Sequence, residues 1–252
     1  MIARNVNYVV EYGLRDSYCL LEEIRKGEFM LKLITLALVV TALPITASAT
    51  QIQDFINKRN CDQVLDKKYY KICYDYNLKA ATYVGYRLDG DLVNKVNIKK
   101  RPRFYPEKRI PKQYRATSSD YTHTGWDRGH LNSDANEDMS PKSLHSVYTM
   151  ANIVAMAPAV NRKTWVKAEK YERKVAYKLG EIWVINGIDY SSNPPRIGRN
   201  HIAVPSAYWK IIYNNKGFEK CFYYKNDPIR SAKGDKLRNH LIDCSKLKSR
   251  HI

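Results

Sequence analysis

The chain has 252 residues, 44% of them hydrophobic, with 43 Lys and Arg against 25 Asp and Glu for a formal net charge of +18. Such a cation excess makes polyanions the natural partners, with acidic membrane surfaces as the competing ones. After residue 49 no stretch approaches the roughly 20 apolar residues of a membrane span, which argues against stable membrane association.

The chain begins with residues 1–29, which carry Asp16, Glu22, Glu23 and Glu28 where an export signal would be basic. They read as a mis-assigned start, with a genuine N-terminal extension as the alternative. Residues 30–49 have the parts of a signal peptide: Met30-Leu31-Lys32, an apolar run from Leu33 to Leu43, and Ala47-Ser48-Ala49. Cleavage after Ala49 would make the protein secreted or periplasmic. It would also remove five basic and five acidic side chains, leaving the charge at +18, together with Cys19. Four cysteines then remain in an oxidising compartment, and the local pairing Cys61–Cys73 with Cys221–Cys244 is expected over the two other pairings. Zinc binding competes, but no C-x-x-C spacing supports it.

Residues 50–252 suit one domain. Ala81 to Leu88 is β-branched and aromatic and predicts a strand. Asp89 to Ser119 is rich in Lys and Arg and broken by Pro102, Pro106 and Pro111, and predicts a long surface excursion. Tyr121 to His130 reads as a strand, Ser140-Pro141 as the opening of a short helix, and Ser146 to Val154 as a returning strand. From Asn161, the spacing of Trp165, Ala168, Val175, Ala176 and Leu179 predicts a helix stopped by Gly180. Glu181–Gly187, His201–Tyr213 and Phe218–Tyr224 predict further strands, and Arg230–Leu247 a C-terminal helix. The class is α+β with a central antiparallel sheet.

Chemistry concentrates in Asp127-Arg128-Gly129-His130, Asn152, Asn161 and Glu169. His130 can take a proton from water near neutral pH, and Arg128 can hold phosphate charge. Asn161 offers a neutral oxygen to a hard cation and Glu169 can hold that cation's waters, an arrangement suited to Mg²⁺, which releases water reluctantly. Eight helical residues rise about 12 Å, so both cannot be inner ligands on a straight helix. Asn161 is therefore expected in the turn before the helix as the direct ligand, with Glu169 reaching the metal through water. Asp127 is expected to orient His130 or Arg128 or to cap a turn, and Asn152 to contact phosphate or fix the loop, with a purely structural role as the alternative.

These residues, in this order, resemble the DNA/RNA non-specific endonucleases of the ββα-metal (His-Me finger) superfamily. The shared pattern is D-R-G-H, then Asn152-Ile153, then N-x-x-x-W-x-x-x-E at Asn161, Trp165 and Glu169. Flanking agreement comes from Tyr86-Arg87-Leu88, Phe104 to Pro111, Trp183 to Gly187 and Val204-Pro205-Ser206. The resemblance implies an endonuclease that cuts DNA and RNA, with a ββα-metal site, Mg²⁺ as cofactor (Mn²⁺ substituting) and 5′-phosphate products. It also implies a further catalytic arginine near Arg101 and Arg103, of which Arg101 is preferred. Asn132-Ser133 and Ala155-Met156 depart from the family's small-Pro and Pro-Gln, which bears on strand preference and rate. A secreted nucleic-acid-binding protein with a decayed site is the rival reading. Oligomeric state, biological role and the existence of an inhibitor protein are not written in the sequence.

Overall fold

The computed structural model describes residues 47–228 and 231–251. Seven strands form one antiparallel sheet in the order β1-β2-β3-β6-β9-β10-β11. They are β1 (Gln63–Asp66), β2 (Tyr70–Asp75), β3 (Ala80–Asp89), β6 (Glu181–Asp189), β9 (Ala207–Tyr213), β10 (Glu219–Lys225) and β11 (Leu241–Ile242). Two small sheets stand apart from it: β4 (Asp127–His130) with β5 (Ile153–Met156), and β7 (Arg196–Ile197) with β8 (Ile202–Ala203). This is the α+β class with a central antiparallel sheet.

Period-2 alternation sends each central strand's side chains to opposite faces, and both faces are covered. Val84, Tyr86, Val184, Tyr208 and Ile212 pack with Trp165, Ala168, Val175 and Ala176 around the long helix α3 (Val166–Leu179). On the other face Trp183, Ile185, Trp209 and Ile211 meet Ile52, Phe55 and Ile56 of helix α1 (Ala47–Asn57) and Leu247 of helix α4 (Cys244–His251). Double coverage explains why β6 is a nearly unbroken apolar run. Both expected disulfides, Cys61–Cys73 and Cys221–Cys244, are formed on that second face. Each is worth about 3 kcal/mol by chain entropy.

Several boundaries differ from expectation. The strand entering the site is only Asp127–His130, because Ser118–Tyr121 winds as a 3-10 turn and His123 and Gly125 adopt positive φ. Ser140 does cap the helix α2 (Pro141–Val147), accepting a hydrogen bond from the Ser143 N–H. That helix runs on through Ser146, and a 3-10 turn at Met150–Asn152 follows, so the returning strand is Ile153–Met156 rather than Ser146–Val154. The propensity of Val147, Tyr148 and Thr149 for strand loses to the capped helix before them. Gly180, at φ 86°, ends α3 as expected.

The stretch expected as a C-terminal helix over Arg230–Leu247 begins outside the described residues. Its described part is a 3-10 turn (Leu237–His240), then β11, with α4 starting only at Cys244. Buried His240 pairs with Asp235 and stacks on Tyr224, anchoring the segment against the sheet edge instead. The signal peptide and start-site expectations fall on residues outside those described, except that α1 runs through Ala49 and Thr50. No described helix is long and apolar enough to cross a membrane.

Candidate active site

The site is assembled on β4, β5 and the entry to α3. Pairing of β4 with β5 sets Asp127 against Met156 and His130 against Ile153. Gly129 is required at their crossing, since a Cβ there would lie 2.7 Å from Met156 Cβ. Chain reversal after β5 then brings Asn161 back to the start of β4, where its Nδ2 donates to Asp127 Oδ2 at 3.0 Å.

The hydrogen bonds of the Asp127 carboxylate go to Asn161 and Arg162, while Arg128 acts on it through charge. Arg162 Nε and Nη2 close a bidentate pair on the same carboxylate at 2.7 and 2.6 Å. Burial opposes ionisation of Asp127, but the hydrogen bonds from Arg162 and Asn161 outweigh it and hold the carboxyl below the usual range. Because an ionised carboxylate only accepts, the amide NH₂ of Asn161 must face Asp127, and its Oδ1 is left for another partner. Asn161 sits not in a turn ahead of the helix but in a π-helical segment, Val160–Trp165, continuous with α3. Such wide turns are frequent at functional sites.

His130 lies between aromatic rings, 5.5 Å from Phe104 and edge-on to Tyr148 at 5.0 Å. Its Nε2 is buried with no hydrogen-bond partner among the described residues. Burial pushes the imidazole down to about 4; nearby Arg101 adds to the effect and Asp134 opposes it. The ring is thus neutral, with a nitrogen free to accept a proton. Glu169 moves the opposite way: burial and the neighbouring Glu172 raise it to about 7, with Lys210 and Arg173 working against the rise and Asp134 reinforcing it. A carboxyl held in that state gains most from a cation.

Arg128 is partly committed, with Nε and Nη2 donating to the Ser118 carbonyl at 3.1 and 2.6 Å and the guanidinium over Phe104 and Tyr121. Arg101 approaches from the long excursion, 3.4 Å from Asp134 and 3.6 Å from Asp138. The charge of Asp134 is felt at both His130 and Glu169, and that of Arg101 at His130, so these groups share one electrostatic neighbourhood. Among the described residues Arg103 makes no hydrogen bond or ion pair with these groups.

Asn152 is fully buried and all its polar atoms are used: Oδ1 accepts from Asn132 N–H, and Nδ2 donates to the Asn132 and Val147 carbonyls. It fixes the loop after His130 and has no polar atom spare for phosphate.

Sequence reasoning missed the buried polar network beneath that loop. Asn186 donates to the Leu131 carbonyl and to Tyr86, and Arg173 donates to Ser133 and Asn136. Asn136 donates to Asn132 and to Glu172, while Glu172 also accepts from Tyr86 and forms a fully buried pair with Lys210. The departures at Asn132-Ser133 are thereby accounted for, since both side chains belong to this network. The available signal was polar residues in otherwise apolar strands: Asn186 in Trp183–Ile188 and Lys210 in Tyr208–Ile212.

Among the described residues no three His, Cys, Asp or Glu side chains cluster as a metal site. The donors present are oxygen: Asn161 Oδ1, oriented by Asp127, and the Glu169 carboxyl. They fit a hard cation that keeps most of its waters.

A two-stranded ribbon followed by a crossing helix, carrying a neutral histidine on the ribbon and oxygen donors on the helix, defines a ββα-metal type of centre. Comparison with known proteins agrees: residues 48–250 match the DNA/RNA non-specific endonuclease family, to which this chain belongs. Relatives include mitochondrial endonuclease G of Homo sapiens, 26% identical over 160 residues, covering 60% of this chain and 54% of that protein. A nuclease of Nostoc sp. is 28% identical over 147 residues, covering 58% and 52% respectively. The chain thus spans about half the length of these relatives. Among solved structures, the EndoG/EndoGI complex, described as showing the mechanism of EndoG inhibition, matches with a TM-score of 0.70 at 20% identity. That match covers 80% of this chain and 88% of the other, and shows a shared fold.

Proposed function

We propose that the protein is an endonuclease that hydrolyses phosphodiester bonds of both DNA and RNA, with Mg²⁺ held by Asn161 and, through water, by Glu169. The observation that carries this reading is His130, held neutral by burial beside the charges of Arg101 and Asp134, on the strand pair that leads into the helix of Asn161 and Glu169. A binding protein has no use for a base held ready in this way, which disfavours the rival reading of a decayed site.

In the proposed reaction the neutral His130 imidazole takes a proton from water, and the hydroxide oxygen bonds to phosphorus in line with the departing 3′ oxygen. The P–O3′ bond breaks, leaving a 3′-hydroxyl once protonated and a 5′-phosphate. Bound Mg²⁺ would supply positive charge to the phosphoryl oxygens and the leaving oxygen. Arg101 and the uncommitted part of Arg128 stabilise the same charge. Water is the nucleophile, so no 2′-hydroxyl is needed and DNA and RNA are cut alike. Export through a signal ending at Ala49 would deliver the enzyme to a secreted or periplasmic location, consistent with its two disulfides. The EndoG structure that it resembles in fold is a complex concerned with EndoG inhibition, which supports a protein inhibitor for this chain as well.

The deciding experiment compares wild type with His130→Ala on plasmid DNA and RNA, with Mg²⁺ and with EDTA, while affinity is measured in EDTA. Wild type should cut both polymers only with Mg²⁺, and the variant should bind normally but not cut. An inert wild type would favour the decayed binding protein, and undiminished cutting in EDTA would remove the metal.

A further inference from the structure

Arg101 stands in a segment without helix or strand, and its side chain is about one-third exposed. An arginine there has many rotamers, so something other than the backbone must aim it. Its recorded contacts are two carboxylates from the turn that follows His130: Asp134 Oδ2, 3.4 Å from Nε, and Asp138 Oδ2, 3.6 Å from Nη1. Asp134 is itself fixed, because the same Oδ2 accepts the Tyr148 hydroxyl at 3.0 Å, and Tyr148 lies edge-on to His130. Asp138 is largely buried.

We propose that Asp134, backed by Asp138, is a positioning residue that aims Arg101 at the phosphate to be cut. The inference rests on the nuclease reading above. Asp134 holds the guanidinium at Nε and Asp138 at Nη1, on different sides of its rigid plane, which fixes that plane and leaves the Nη2 N–H groups for a phosphate.

Two arginines of this site make the contrast. Arg162 closes short bidentate bonds on Asp127, which use the geometry a phosphate would need. Arg101 is held at distances longer than the 2.7–2.9 Å or so of a tight charge-assisted bond. It is tethered without being saturated, and a phosphate oxygen meets a guanidinium already oriented. Asp134 touches no reacting atom and acts through Arg101.

The test is a double-mutant cycle on defined duplex DNA with saturating Mg²⁺ at pH 8, above the values at which His130 and Glu169 titrate. Asp134→Ala should lower kcat about ten-fold with a smaller change in KM, as misplacement of a stabilising group does. Asp134→Asn, which keeps an acceptor oxygen, should recover part of the loss. In an Arg101→Ala background Asp134→Ala should cost nothing further.

Equal losses in both backgrounds would overturn the proposal, since Asp134 would then act independently of Arg101. So would unchanged or raised kcat in Asp134→Ala, which would make the contact incidental or a restraint. If thermal unfolding shows Asp134→Ala to be misfolded, Asp138→Asn takes its place in the cycle, because Asp138 has no recorded bond to Tyr148. An inert wild type removes the nuclease reading and this one with it, whereas an active wild type with additive losses removes only the positioning role.

Discussion

At the scale of single residues the site separates two acid–base groups that free side chains would place closer together. His130 is driven down to about 4 and Glu169 up to about 7, both chiefly by burial, which disfavours the charged form of each. His130 is therefore a competent base throughout pH 5–8. Glu169 becomes anionic only as pH rises through about 7, and its proton competes with the cation. The Mg²⁺ concentration needed for half-maximal cleavage should fall as pH climbs from 6 to 8, while the rate at saturating Mg²⁺ stays nearly flat. Glu169→Gln should remove that pH dependence. A saturated rate that instead falls through about 6.5 would mean that His130 titrates like a free imidazole.

Glu137 is a second buried acid, raised by burial to about 8, although Asn132 Nδ2 donates to its Oε1. Its other oxygen has no partner among the described residues. The folded value lies above the unfolded one of about 4.3, so the folded state binds the extra proton between them. The stabilisation is complete below about pH 4 and is lost as pH rises to 8. Glu137→Gln should flatten this slope and stabilise the protein at pH 8 by a few kcal/mol, read from denaturant unfolding at several pH values. A variant that is less stable at pH 8 would show that the carboxylate is accommodated.

At the scale of elements, the π-helical entry to α3 decides where the proposed metal ligands lie. Trp165 closes that segment, fully buried against Tyr208 and Tyr224, with the Lys210 ammonium 4.8 Å from its ring. Asn161 precedes it by four residues and Glu169 follows it by four. Trp165→Ala should cost about 3–5 kcal/mol of stability, as large aromatic truncations in cores do. It should also weaken Mn²⁺ binding measured by electron paramagnetic resonance, because the two ligands lose their common support. Loss of stability with unchanged Mn²⁺ affinity would show that the Asp127–Asn161 contact alone sets the ligand geometry.

At the scale of the whole molecule, the Glu172–Lys210 pair joins the sheet to α3 and, through Asn136, to the loop that follows His130. Both side chains are fully buried, so removing one partner strands a charge. Lys210→Met should destabilise by about 3–5 kcal/mol, and adding Glu172→Leu should recover part of that. Chemical denaturation of the two variants tests this; a double variant worse than the single would show that the hydrogen bonds of Glu172 to Tyr86 and Asn136 outweigh its charge.

The sequence by itself determined the family pattern, the antiparallel class, the helix that Gly180 stops, the Ser140 cap and the pairing of four cysteines. These are local in origin: motif spacing, side-chain period, capping chemistry and short loop closure can all be read along the chain. Only the tertiary structure decided that Asp127 pairs with Asn161, that Arg101 meets Asp134 and Asp138, and that Asn152 is spent on the backbone of Asn132 and Val147. It also ended the Ser146–Val154 strand expectation and dissolved the C-terminal helix into a turn, a short strand and α4. For the polar roles the physical reason is shared: Asn161 reaches Asp127 across 34 residues and Asn152 reaches Asn132 across 20, and such a partner depends on which segment burial brings alongside, which no local pattern records.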